Sequence, residues 1–216
     1  MGATHAKRHN ILVYCTATHG KNKRKMQKIV VAVTGASGSI YAKVLFDRLL
    51  QIKDQWTKVG VVMSDNARMV WEYELDNREF EKYPFDFFAK NDFMAPFASG
   101  SGQYQTMIVA PCSMGTLGRI AGGISDDLLT RAADVVLKER RKLILMVRDT
   151  PYNLIHLRNM ETVTLAEVLF ARPPHRFTAG PKILKPLLPP WLTGHSTLQG
   201  LKLATYRWGQ APSAED

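Results

Sequence analysis

Cysteine is scarce: the 216-residue chain has 2, Cys15 and Cys112. Two thiols cannot build a disulfide framework, so a reducing, cytoplasmic compartment is expected. Long apolar runs are missing too. Nothing approaches the ~20 residues of a membrane-spanning helix. The N-terminus also lacks the continuous apolar stretch of a secretion signal, so neither a membrane nor an export role is expected. Histidine is absent between Gly20 and Ile155. No group of residues has metal-ligand spacing, and no metal is expected. The Gly-x-Ser-x-Gly elbow, the Walker loop and the Gly-x-Gly-x-x-Gly fingerprint are all absent.

Acid is missing from one region in particular. Residues 1–28 carry Lys7, Arg8, Lys21, Lys23, Arg24, Lys25 and Lys28 with no Asp or Glu. Residues 167–199 carry Arg172, Arg176, Lys182 and Lys185 against Glu167 alone. These two flanks account for the whole net charge of +10, and the patterned body between them is balanced. A nucleic-acid binder would show its basic residues on a folded face, so no nucleic-acid partner is expected. Residues 1–27 are read as a disordered basic extension, or as sequence ahead of a start at Met26.

The body alternates strands and helices. Lys28–Val33, Lys58–Met63, Thr106–Ala110 and Leu143–Val147 are apolar, β-branched runs of buried parallel strands. Helical periodicity covers Ile40–Leu50, Asn66–Glu74, Ser125–Arg141 and Asn153–Thr162. Such alternation predicts βαβ units and right-handed crossovers. The expected fold is α/β: one Rossmann-like (flavodoxin-like) three-layer sandwich with a mostly parallel sheet. The patterned domain spans residues 28–166.

In such sheets ligands bind beyond the carboxyl ends of the strands. Four ends here carry chemistry. The first is Thr34-Gly35-Ala36-Ser37-Gly38, which is either a capped tight turn or a place where backbone approaches an anion. The second is Ser64, a helix cap by itself. The third is Pro111-Cys112-Ser113-Met114-Gly115-Thr116-Leu117, whose hydroxyls and backbone donors suit a phosphate or the polar edge of a flavin. With no histidine nearby in sequence, Cys112 reads as packing rather than a nucleophile. The fourth is Arg148-Asp149: the arginine suits a phosphate or carbonyl, the aspartate a proton, and a plain surface ion pair is the competing reading. Arg131 and Lys138, seven apart, share one helix face. His156 reads as a satisfied structural histidine.

Taken in order, TGASGS, NDFMAPFASGS, PCSMGTL, DDLLTRAADVVLKERR and VRDTPYNLIHLRNM resemble the UbiX-type flavin prenyltransferases, formerly described as aromatic-acid decarboxylases. The resemblance covers about Lys28–Ala166, and TYRWGQ matches the family's C-terminus. It implies an enzyme that joins dimethylallyl phosphate to reduced FMN, across N5 and C6, without a metal. The prenylated flavin would serve a UbiD-type decarboxylase. Gly35, Ala36, Ser37, Ser64, Ser113, Met114, Gly115, Thr116 and Arg148 match the family's FMN-binding positions. Ser37, Glu74, Lys138 and Asp149 match its catalytic groups, and Arg131 and Lys138 its substrate-phosphate groups. Asp149 stands where members often have glutamate, one methylene longer. The resemblance also implies a homo-oligomer, a dodecamer, with sites shared between subunits.

Residues 167–199 break the pattern. Pro173, Pro174, Pro181, Pro186, Pro189 and Pro190 crowd a stretch without periodicity, which is expected to be irregular. The family's strand, its Phe-Tyr turn and its closing helix are not recognisable there, yet Tyr206-Arg207-Trp208-Gly209 returns in the 200–216 tail. Read one nucleotide earlier, codons for this block can spell a family-like text with Phe-Tyr over Phe177-Thr178. The expectation is a pair of compensating frameshifts. As printed, Thr178 and Gly194 replace the tyrosine and arginine that hold the prenyl phosphate in the family. The leading reading is therefore a flavin prenyltransferase. The alternative is an FMN-binding protein with impaired transfer. A flavin-dependent cysteine decarboxylase would need a histidine after the first βα unit.

Overall fold

A computed structural model describes residues 26–171. Six strands form one fully parallel sheet in the order β3-β2-β1-β4-β5-β6. They are β1 (Gln27–Val33), β2 (Trp56–Met63), β3 (Asp86–Phe88), β4 (Thr106–Cys112), β5 (Lys142–Val147) and β6 (Leu169–Phe170). The helices are α1 (Ser39–Gln51), α2 (Asp65–Leu75), α3 (Met114–Ala121), α4 (Leu128–Lys138) and α5 (Leu154–Leu165). The strand order reverses between β1 and β4, which pair from Ile29↔Thr106 to Ala32↔Val109.

The central strands are buried on both faces, so they read as continuous apolar runs rather than alternating ones. Odd-numbered residues of β1 (Ile29, Val31, Val33) pack with Phe46, Trp71 and Phe80 under α1 and α2. Val30 and Ala32 pack with Leu117, Leu128 and Ala132 under α3 and α4. The α/β sandwich expected from the sequence is the one observed.

Four elements differ from the sequence reading. The helix expected over Ser125–Arg141 starts at Leu128, because Asp127 caps it with a capping box to Thr130. It ends at Lys138, and Arg140 then takes φ 52°. The short strand β3 and the glycine-containing helix α3 were not anticipated. Nor was β6, which lies inside the stretch read as patternless. Leu169 and Phe170 pair with Ile144 and Leu145, Val168 is buried, and Ala171 N–H donates to Leu145 O at 2.9 Å. Ordered sheet thus extends past Ala166 to Phe170. The rest of the proline-rich segment, the 200–216 tail and residues 1–25 lie outside the described residues. Among the described residues no helix is long and apolar enough to cross a membrane.

Candidate functional site

The loops after β1, β2, β4 and β5 meet at the carboxyl end of the sheet. Thr34 ties the first to the third: its Oγ1 donates to Pro111 O at 2.9 Å and accepts from Ser113 N–H at 2.9 Å. Ser64 N–H donates to Val33 O at 3.0 Å, which sets the second loop beside the first. Arg148 N–H donates to Cys112 O at 3.4 Å, and its Nη1 to Ser37 O at 3.4 Å. These contacts gather Gly35, Ala36, Ser37, Ser64, Ser113 and Arg148 around the point where the strand order reverses.

Each helix that starts here satisfies its first N–H groups in its own way. Ser64 Oγ accepts from Ala67 N–H at 3.1 Å, and Ser113 Oγ from Thr116 N–H at 3.2 Å. Helix α1 has no capping side chain of its own, because its N-cap is Gly38 at φ 115°. Glu74 supplies the acceptor from the last turn of α2. Its two carboxylate oxygens each lie 3.0 Å from Gly38 N, and Oε2 is 2.7 Å from Ser39 N. The positive end of α1 is therefore already met by an anion, whereas α2 and α3 are capped by neutral hydroxyls. Sequence reasoning placed Glu74 beside Ser37. Among the described hydrogen bonds it holds the Gly38 and Ser39 backbone, and the Ser37 side chain, which is exposed, makes none.

Close backbone approach is built in at Gly35: a Cβ there would sit 2.5 Å from Asn66 Cβ. By contrast Gly115, at the start of α3, faces open space, with nothing within 4 Å of a built Cβ. Thr116 is buried and Met114 half-buried beside it. Open room over a helix start, hydroxyls at two helix caps and an exposed arginine at the rim form a donor set that fits a flavin mononucleotide. Cys112 is buried, and that burial pushes its thiol up to about 12. It is packing, as expected.

The groups assigned to the prenyl phosphate and proton transfer are less well gathered. Asp149 is exposed, and its Oδ1 accepts from Thr150 N–H at 2.9 Å within its own turn. Arg131 donates through Nε to Ala98 O at 3.1 Å and pairs with Asp134 at 3.1 Å. Lys138 lies at the opposite end of the sheet from Ser37. It lines a cavity of about 860 Å³ together with Gln27, Thr106 and Lys142, which sit where their strands begin. Spacing of seven gives a shared helix face, but it also separates Arg131 and Lys138 by about 10 Å along the axis. His156 closes a capping box with Asn153 at the start of α5, which accounts for it structurally.

A family model described as Flavoprotein matches residues 16–184. The match begins ahead of β1 and reaches into the proline-rich segment. The chain therefore belongs to the flavoprotein family. Within that family its branch is the UbiX-type flavin prenyltransferases. The chain is 46% identical over 135 residues to flavin prenyltransferase UbiX of Methanocaldococcus jannaschii, covering 62% of this chain and 71% of that one. It is 39% identical over 186 residues to that of Neisseria meningitidis serogroup B, covering 82% and 91%. The crystal structure of AnUbiX (PadA1) in complex with FMN and dimethylallyl pyrophosphate is similar at TM-score 0.65 and 39% identity, over 73% of this chain and 85% of that one. A dodecameric FMN-dependent UbiX-like decarboxylase from Escherichia coli O157:H7 is similar at TM-score 0.66 and 34% identity, over 72% and 86%.

Proposed function

We propose that the chain holds reduced FMN across the carboxyl ends of β1 and β4 and transfers to it a dimethylallyl group from dimethylallyl phosphate. The observation that carries this is the junction at Thr34, Ser113 and Arg148, where bonded loops converge on the switch point of a sheet whose relatives are flavin prenyltransferases. The loops bearing Gly35, Ala36 and Ser37, then Ser64, then Ser113, Met114, Gly115 and Thr116, would hold the flavin together with Arg148. Because Glu74 already neutralises the start of α1 and Asp65 lies in the first turn of α2, the FMN phosphate would be held by the start of α3, whose first turn carries no acid, and by Arg148.

Reduced FMN supplies the nucleophilic N5 and C6 atoms. The protein's part is electrostatic and positional. Arg131 and Lys138 stabilise the departing phosphate, and Asp149 provides its proton. Ser37, exposed and next to the Gly38 that Glu74 holds, would accept a proton from the bound flavin. Lys138 stands at the far end of its own sheet, so it serves the site of a neighbouring copy in a homo-oligomer, a dodecamer like the Escherichia coli neighbour. Exposed Leu154, Ile155, Leu157 and Leu165 on α5 give such an assembly apolar contact surface. The product passes to a UbiD-type decarboxylase in the cytoplasm. Residues 1–27 act as a basic extension, 28–166 as the FMN-binding body, 167–199 as the altered segment and 200–216 as a family-like tail.

Anaerobic incubation with reduced FMN and dimethylallyl phosphate tests this reading. A flavin heavier by one prenyl unit supports it. Flavin that is bound but unchanged favours the second reading, an FMN-binding protein impaired because Thr178 and Gly194 stand at the places of the phosphate-holding tyrosine and arginine.

A further inference from the structure

Tyr41 has no part in the roles above, yet it sits directly beneath them. It is almost fully buried, at 3% exposure, in the first turn of α1. Its backbone N–H donates to Gly38 O at 2.9 Å. A Cβ built on Gly38 would lie 2.5 Å from Tyr41 Cδ2 and Cε2, and 3.3 Å from Arg148 Cδ. The tyrosine ring and the arginine stem are thus pressed against the same glycine, and only a residue without a side chain permits it. Arg148 reaches on from there to the Ser37 carbonyl.

We infer that Tyr41 is a positioning residue for Arg148: the phenol oxygen and the Ser37 carbonyl together hold the guanidinium above the first loop, with its remaining N–H groups aimed at the flavin. The electrostatics agree. Burial raises the tyrosine's pKa; the charge and hydrogen bond of Arg148 pull it back, and Glu74 opposes them. An arginine on a long flexible stem loses rotamer freedom when it binds a ligand, and a partner that fixes it beforehand lowers that cost. The rigid planar fork of a guanidinium holds its five N–H donors in fixed directions toward two protein acceptors and a ligand, whereas the three donors of an ammonium sit on a single nitrogen and carry no such fork.

The inference rests on the reading of this site as an FMN site, and the test separates the two. FMN affinity is measured by fluorescence titration for the wild-type protein, Tyr41→Phe, Arg148→Ala and the double variant, and the melting temperature of each apo-protein is recorded. Tyr41→Phe should weaken FMN binding roughly tenfold, as for a lost hydrogen bond to a charged group. In the Arg148→Ala background it should change affinity by less than about twofold, because the tyrosine acts through the arginine. Arg148→Lys should lose as much as Tyr41→Phe does, and it leaves the buried ring untouched, so it serves if Tyr41→Phe fails to fold. Equal affinity of Tyr41→Phe and wild type, or full additivity in the double variant, overturns the inference. An absence of FMN binding in the wild type instead overturns the reading beneath it.

Discussion

Thr34 and Ser113 are joined by one short bond: the Ser113 N–H donates to Thr34 Oγ1 at 2.9 Å, while the same hydroxyl donates to Pro111 O. The two residues are 79 positions apart and directly follow β1 and β4, the strands on either side of the switch point. Thr34 is buried; without its hydroxyl the half-buried Ser113 N–H loses its acceptor, and Pro111 O keeps only the Thr34 N–H at 3.3 Å. Thr34→Val keeps the shape and loses both bonds. It should lower unfolding free energy by about 2 kcal/mol and weaken FMN binding, whereas Thr34→Ser should stay near wild type. Urea denaturation of the three proteins checks this; a coincident midpoint for Thr34→Val would show that the bond contributes nothing.

Gly35 and Gly115 make a matched pair of tests. Gly35→Ala forces a Cβ onto Asn66, at a nominal 2.5 Å, and should push the first and second loops apart. The expected cost is about 1–3 kcal/mol of stability, with a marked loss of FMN affinity. Gly115→Ala meets no protein atom and should leave apo-protein stability unchanged, so any effect on FMN there reports the ligand's own volume. Shortening the obstacle with Asn66→Gly should rescue Gly35→Ala in both readouts.

The carboxylate of Glu74 is the missing cap of α1. Glu74→Ala should therefore destabilise the flavin-free protein by about 1 kcal/mol, and Glu74→Gln, which keeps an acceptor oxygen, by less. A proton carrier with no structural task would leave apo-protein stability untouched. Denaturation without FMN distinguishes the two.

Asp127 offers a pH test away from the site. Its carboxylate accepts from Thr130 N–H at 2.8 Å and from Arg119 Nη1 at 2.7 Å. Partial burial pushes its pKa up, but those hydrogen bonds and the guanidinium charge outweigh burial and hold it below the usual aspartate value. A depressed pKa means stability that is present above the unfolded value and lost as pH falls through the folded one. Asp127→Ala should cost about 1 kcal/mol at neutral pH, and the gap to wild type should close below about pH 4. A gap that persists unchanged into acid would contradict the assignment.

Much of the fold was legible because buried parallel strands announce themselves. Lys28–Val33 and Leu143–Val147 were placed within a residue of β1 and β5. What escaped has physical reasons. Strand β3 is three residues long beside Pro84, and β6 is two, too short for any period to register. Helix α3 contains two glycines, which mask its periodicity. The charges of Lys138-Glu139-Arg140-Arg141 look helical in sequence, but the chain turns at Arg140. The loops that bind one another were readable as strand ends. Their linkage was not, because Thr34–Ser113 and Glu74–Gly38 are contacts between distant positions. The distance of Lys138 from Ser37 was hidden for the same reason: a shared helix face says nothing about which end of the sheet it reaches.

The proposed function requires that the loops joined at Thr34, Ser113 and Arg148 form one FMN site. The most direct measurement is a fluorescence titration of FMN with the purified protein and with Arg148→Ala. Saturable quenching at one FMN per chain, weakened at least about tenfold in the variant, is the predicted result. No saturable quenching by the wild type, or equal affinity in both proteins, would contradict it.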